Sequence, residues 1–169
     1  RSNILKPNKA STEELELVHD REYILKVLKG TLTDKEIRRL GFNWSEVLSN
    51  RSFLAVNGTL LTCKEALKNG IANHLAGGTH HSHRNFGSGY CVFNDMAYAS
   101  KSLINSKLVK KILIFYTDVH QGDGTIDIGI SGLDLLKESS KICPINPYGS
   151  TKLAVENLLN DIFGDSKKE

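Results

Sequence analysis

The sequence predicts an α/β fold, an open parallel sheet with flanking helices. The clearest sign is Lys111-Ile-Leu-Ile-Phe-Tyr-Thr-Asp118, a nearly continuous apolar run of the kind carried by a parallel strand buried on both faces. A second sign is the order around it. A short apolar segment, residues 71–75, leads into a glycine-punctuated loop, then a helical stretch at 93–104, then that run. Strand, loop, helix, strand is the βαβ unit. A third is composition: 169 residues, 40% apolar, suit a globular domain with a real core.

The elements follow in order. Ser11-Thr12-Glu13-Glu14 fits a capping box, with Ser11 as N-cap and Glu14 reaching back, so a helix should follow. A second helix is expected over residues 21–29, ended by Gly30. Thr33 and Glu36 make another box before a short helix closed by Gly41. Residues 45–69 read as a longer helix capped by Gly70, and Gly58 either weakens it or splits it in two. In the helix at 93–104, Met96, Ala97, Ala99, Ser100 and Leu103 give the packed face.

Composition also excludes classes. No apolar run approaches the ~18 residues of a membrane span, and the first residues show no signal-peptide pattern. The chain lacks an initiator Met and is expected to be processed or part of something longer. Net charge is +3 with the basic residues interspersed among acids, which argues for solubility and says little about nucleic acid; no nucleic acid or membrane partner is expected. Cys63, Cys91 and Cys143 are far apart and form no CxxC, pointing to a reducing compartment, with the cytoplasm as default.

In an open parallel sheet, functional groups gather beyond the carboxyl ends of the strands. Two polar clusters are expected there. One is His80, His81 and His83; the other is Asp118-Val-His-Gln-Gly-Asp-Gly124. Residues two apart on a strand share a face, so Asp118 and His120 can serve one site. Carboxylate oxygen and imidazole nitrogen suit zinc or a similar divalent ion. Gly122 and Gly124 permit a sharp turn that folds Asp123 back. Each piece has an ordinary reading: a chance DxH, a solvated His-His pair, a turn aspartate. Two such clusters joined by one helix are harder to explain that way.

LAGGTHHSHRNFGSGYCVFND (residues 75–95) followed by ILIFYTDVHQGDGT (residues 112–125) resembles the zinc-dependent histone deacetylase and acetoin-utilisation deacetylase family. Its closest likeness is to bacterial and class IV-like members. LELVHDREYILKVLKG shares in it, and the resemblance runs over residues 4–125. It implies the family's arginase-like sheet. It also implies Asp118 and His120 as two of three zinc ligands, and His80 and His81 as the pair beside the metal-bound water. His81 would be the general base and acid, oriented by Asp123. Gly89 and Tyr90 would line the acyl-lysine channel. The implied chemistry is hydrolysis of an acetyl or other acyl amide, in which zinc polarises the carbonyl and a histidine moves the proton.

The pattern departs in three places. Where the family carries an Asp two residues before the Asp118 position, this chain has Tyr116. The family's third zinc ligand and oxyanion-stabilising Tyr would come after these strands, and its first strand before Ile4, so the partial domain is expected to be truncated at both ends, binding zinc weakly and with little or no activity by itself. Finally, residues 138–164, with PINPYGSTKLAVE, resemble the active-site helix of UDP-glucose 4-epimerases and related extended short-chain dehydrogenases. Tyr148 and Lys152 would be its YxxxK pair. No glycine-rich dinucleotide fingerprint follows a strand, so NAD is not expected and the pair should be non-functional. The expected organisation is therefore a partial deacetylase-like domain (1–125), a junction (126–137) and an epimerase-like helical tail (138–169). The competing functions are a non-catalytic remnant or interaction module, and a fragment of a sugar-nucleotide epimerase.

Overall fold

The structure, a computed structural model, describes residues 4–114, 116, 118–120 and 122–129. The chain divides into two compact units. Residues 4–114 and 122–129 belong to the first, and Tyr116 with residues 118–120 to the second. The epimerase-like stretch, with Tyr148 and Lys152, lies outside the described residues.

The first unit is helical. Its elements are α1 (Thr12–Leu15), α2 (Arg21–Lys29), α3 (Asp34–Leu40), α4 (Glu46–Asn69), α5 (Asp95–Asn105) and α6 (Asp123–Asp127). Local chemistry sets their ends. Ser11 and Glu14 form a reciprocal capping box on α1, as do Thr33 and Glu36 on α3. Each satisfies two of the orphan N–H groups at its helix start. Gly30 and Gly41 close α2 and α3 in the left-handed conformation, at φ 71° and 85°. Ser45 caps α4, and Asn94 caps α5 by accepting from the Ala97 N–H.

α4 runs unbroken through Gly58. A glycine costs a helix interior only about 1 kcal/mol, and the packing of α4 along α5 outweighs it. The absence of a side chain there is used, because a Cβ at Gly58 would stand 2.5 Å from Nε2 of His74.

The core lies between these helices. Leu15, Val18, Tyr23, Ile24 and Val27 meet Phe53 and Val56 of α4, and Phe93, Ala97, Tyr98 and Leu103 at and along α5. Phe93 is the hub. Its ring stands 5.1 Å from that of Phe53, 5.9 Å from Tyr23 and 5.3 Å from His19, all tilted or edge-on, the arrangement aromatic quadrupoles favour. The Tyr23 hydroxyl donates to the Val92 carbonyl at 2.6 Å, so the phenol satisfies its polar end inside the core.

The expected parallel sheet is not seen among the described residues. Residues 71–75 and 111–114 form no strand, and extended pairing among the described residues is confined to one bridge between Ser88 and Cys91. The reason is physical: a buried strand needs neighbours on its edges and cover on its faces. Ile71, Leu75 and Leu113 have neither, being 84%, 93% and 82% exposed. The turn expected at Gly122–Gly124 is the start of α6, which also takes in Ile126 and Asp127 of the expected junction. No helix among the described residues is long and apolar enough to cross a membrane.

Candidate active site

The glycine loop is tied down by the two polar residues that begin α5. Asp95 is 1% exposed and accepts from the Gly78 N–H (3.0 Å), the Thr79 N–H (2.8 Å), the Thr79 hydroxyl (2.7 Å) and the Thr59 hydroxyl of α4 (2.5 Å). A buried carboxylate is tolerated only when its oxygens are filled in this way. Asn94, fully buried, points its amide nitrogen at the carbonyls of Ser82 (3.1 Å) and His80 (3.3 Å) and at the Thr125 hydroxyl (3.0 Å). Together these contacts fix both sides of His80-His81.

His19 holds the loop from below. Its Nδ1 lies 2.9 Å from the His83 carbonyl and 3.3 Å from that of Arg84, and its Nε2 accepts the Asn94 N–H at 2.9 Å. Carbonyls only accept, so Nδ1 carries the hydrogen and the ring is neutral. Burial pulls its pKa down to about 4, only partly offset by the bonds to the Arg84 and His83 carbonyls. Sequence reading assigned His19, Asn94 and Asp95 no role. Their polarity amid apolar neighbours (Leu17-Val18 before one, Val92-Phe93 before the others) was the available signal.

On this scaffold the rings of His80 and His81 stand 4.2 Å apart at 57°. His80 is nearly buried, and its Nδ1 lies 3.1 Å from the Gly78 carbonyl. His81 Nδ1 is 2.7 Å from Oδ1 of Asp123, the first residue of α6. That contact depends on Gly124. A Cβ there would fall 2.3 Å from the Ser82 carbonyl oxygen and 2.8 Å from that of His80, so only glycine lets α6 approach the loop closely enough. The remaining face of His81 meets Gly89, where a Cβ would be 2.9 Å from Cδ2 of the ring.

Burial alone would raise the Asp123 carboxyl. Hydrogen bonds from His81, the Gly124 N–H and His83 outweigh it and hold the carboxyl below its ordinary value. An ionised Asp123 accepts the Nδ1 hydrogen of His81, which leaves the lone pair on Nε2.

Tyr90 follows Gly89 with φ 64°, a region side chains rarely occupy. Its N–H donates to the Leu40 carbonyl at 2.8 Å, and its ring packs edge-on against Phe42 at 5.1 Å. Tyr90 lines a cavity of about 160 Å³ together with Phe42, Leu48, Arg51, Thr79 and Val92.

In the second unit Asp118 Oδ1 accepts the His120 backbone N–H at 2.8 Å and stands 3.0 Å from the His120 Nδ1. Both side chains are exposed, and Tyr116 is half-buried. Among the described residues no group of three or more His, Cys, Asp or Glu is placed to hold a metal.

The described residues thus present paired histidines, one of them on a carboxylate, on a helical scaffold. Comparison supplies the class. The model of the histone deacetylase domain matches residues 1–139, and the chain belongs to that family. An uncharacterized protein of Picosynechococcus sp. is 48% identical over 111 residues, covering 66% of this chain and 37% of its own. The acetoin utilization protein AcuC of Bacillus subtilis is 36% identical over 133 residues, 72% of this chain and 34% of its own. The crystal structure of a histone deacetylase homologue from Aquifex aeolicus superposes with a TM-score of 0.64 at 28% identity, covering 74% of this chain and 36% of that one. A homologue complexed with SAHA superposes equally well, with TM-score 0.64. The chain thus spans a little over a third of the length of the relatives it matches.

Proposed function

We propose that the chain carries part of the catalytic apparatus of a zinc-dependent acyl-amide hydrolase acting on acetyl-lysine or a related amide. The observation that carries this reading is the 2.7 Å contact between His81 Nδ1 and Asp123, held in a chain of the histone deacetylase domain family. The SAHA complex of a homologue supports an acyl-amide substrate.

Asp118 and His120 would hold the zinc. Their donor set, a carboxylate oxygen and an imidazole nitrogen on neighbouring residues, suits zinc in its chemistry. When bound, zinc supplies Lewis acidity, polarising the scissile carbonyl and acidifying water. The chain's residues do the rest. Asp123 fixes the tautomer of His81, so that Nε2 takes a proton from water during attack and returns it to the departing amine. Asp123 also stabilises the imidazolium that forms between those steps. Gly89 lets the backbone pass close against the His81 ring, and Tyr90 with Phe42 gives the acyl chain an apolar wall.

Zinc titration of the purified chain tests the metal assignment. Affinity should fall at least 10-fold in Asp118→Ala and in His120→Ala, and stay unchanged in Cys91→Ala. Equal loss in Cys91→Ala would mean that a thiolate site binds the metal, and would overturn the assignment. For the base, whatever zinc-dependent hydrolysis of an acetyl-lysine peptide the chain shows above background should drop about 10–100-fold in Asp123→Asn, the usual cost of losing the partner that orients such a histidine.

A further inference from the structure

We propose that His83 is a positioning residue that shares Asp123 with His81 and so governs how fully that carboxylate serves the His81 ring. The inference rests on the hydrolase reading for its functional meaning, though not for its geometry.

His83 is held on every side. Its N–H donates to the Phe86 carbonyl at 2.9 Å, and its ring stacks on Phe86 at 4.4 Å and 21°. Phe86 in turn carries the Arg39 guanidinium 4.3 Å from its centroid. Nε2 of His83 faces Asp123 Oδ2 at 3.3 Å, and Nδ1 faces Asp127 Oδ2 at 3.1 Å. One carboxylate thus contacts two imidazoles, through Oδ1 to His81 and Oδ2 to His83.

Ionised carboxylates only accept hydrogen bonds. A neutral imidazole has one donor and one acceptor, so both His83 contacts are hydrogen bonds only when the ring is doubly protonated. The charged groups around it are Asp123 and Asp127 of α6, His81 on the same loop, Arg39 of α3 beyond Phe86, and Arg84. Arg84 turns its guanidinium to Asp20 at 3.0 Å, while its backbone N–H faces Asp127. A charged His83 draws on the negative charge of Asp123, and His81 then sits beside a partly neutralised partner. Without His83, Asp123 serves His81 alone, and His81 binds its proton more tightly.

The test is an NMR titration of the imidazole Hε1 signals in the full chain, assigned by single histidine variants. In His83→Phe, which keeps the stack on Phe86 without either nitrogen, and in His83→Gln, a neutral donor, the His81 midpoint should rise by on the order of half a pH unit. In Asp127→Asn, which leaves the stack intact, the His83 midpoint should fall by a similar amount. Midpoints that stay put in all three variants would overturn the proposal. The hydrolase reading fails separately. Loss of zinc binding and turnover with the His81–His83 coupling intact would sink that reading alone, and an unmoved His81 with zinc binding intact would sink this one alone.

Discussion

Replacing Asp95 with alanine should lower the unfolding free energy by about 3–5 kcal/mol, a large share of the 5–15 kcal/mol typical of a domain. Four donors converge on this carboxylate: the N–H groups of Gly78 and Thr79 and the hydroxyls of Thr79 and Thr59. Truncation takes this acceptor from all of them, and while the Thr59 hydroxyl can turn to His74 Nδ1 at 2.9 Å, a donor left without a partner costs roughly 1–3 kcal/mol. Removing the cost of burying the charge gives part of that back. Asp95→Asn should fall between, since its amide keeps one acceptor but turns N–H groups toward donors. Urea denaturation reads the difference, and amide exchange at Gly78 and Thr79 should quicken in both variants. An unchanged urea midpoint in Asp95→Ala would mean that the loop is anchored elsewhere.

The second large effect is on acid stability. His19 has a folded pKa of about 4, against the ordinary 6.5 of an unfolded chain. Between those values the unfolded state binds the extra proton and the folded state does not, so stability rises with pH across that window. The contribution of the neutral ring is complete above pH 6.5 and is lost progressively as pH falls toward 4, on the order of 3 kcal/mol in all. Protonation would set a hydrogen on Nε2 against the Asn94 N–H, which now donates to it. His19→Gln, which does not titrate, should be less stable at pH 7 but show a flatter decline. Urea midpoints at pH 7 and pH 4.5 for both proteins check this, and parallel declines would show that other groups dominate.

How much of this was legible depended on distance along the chain. The capping boxes at Ser11 and Thr33 and the glycine stops at positions 30 and 41 are signals completed within four residues, and the helices stand where those signals put them. The run at 111–118 suggested a buried strand, but burial belongs to a run only when other segments cover it, and Leu113 is exposed. The deacetylase motifs were legible as a pattern of residue types, and family membership is shown. What those motifs do physically was not. Asp95 reads as an ordinary first-turn acid until its partners 16 and 17 residues back are placed. His19 reads as part of an amphipathic stretch until its partner 75 residues on is placed. His83 looked like a third member of a histidine cluster, and only the position of α6 shows that it shares a carboxylate with His81.

The joint between Gly124 and the loop carbonyls also bears on the order of assembly. α1, α2 and α3 close on their own caps, and such local contacts form early. His81 and Asp123 are 42 residues apart and meet only after α6 has docked, backbone to backbone, on a loop that α5 has already secured. The His81–Asp123 contact therefore exists only when α6 is seated on the loop. A chain stalled short of that docking would show nearly full helix content while its His81 stood apart from any carboxylate.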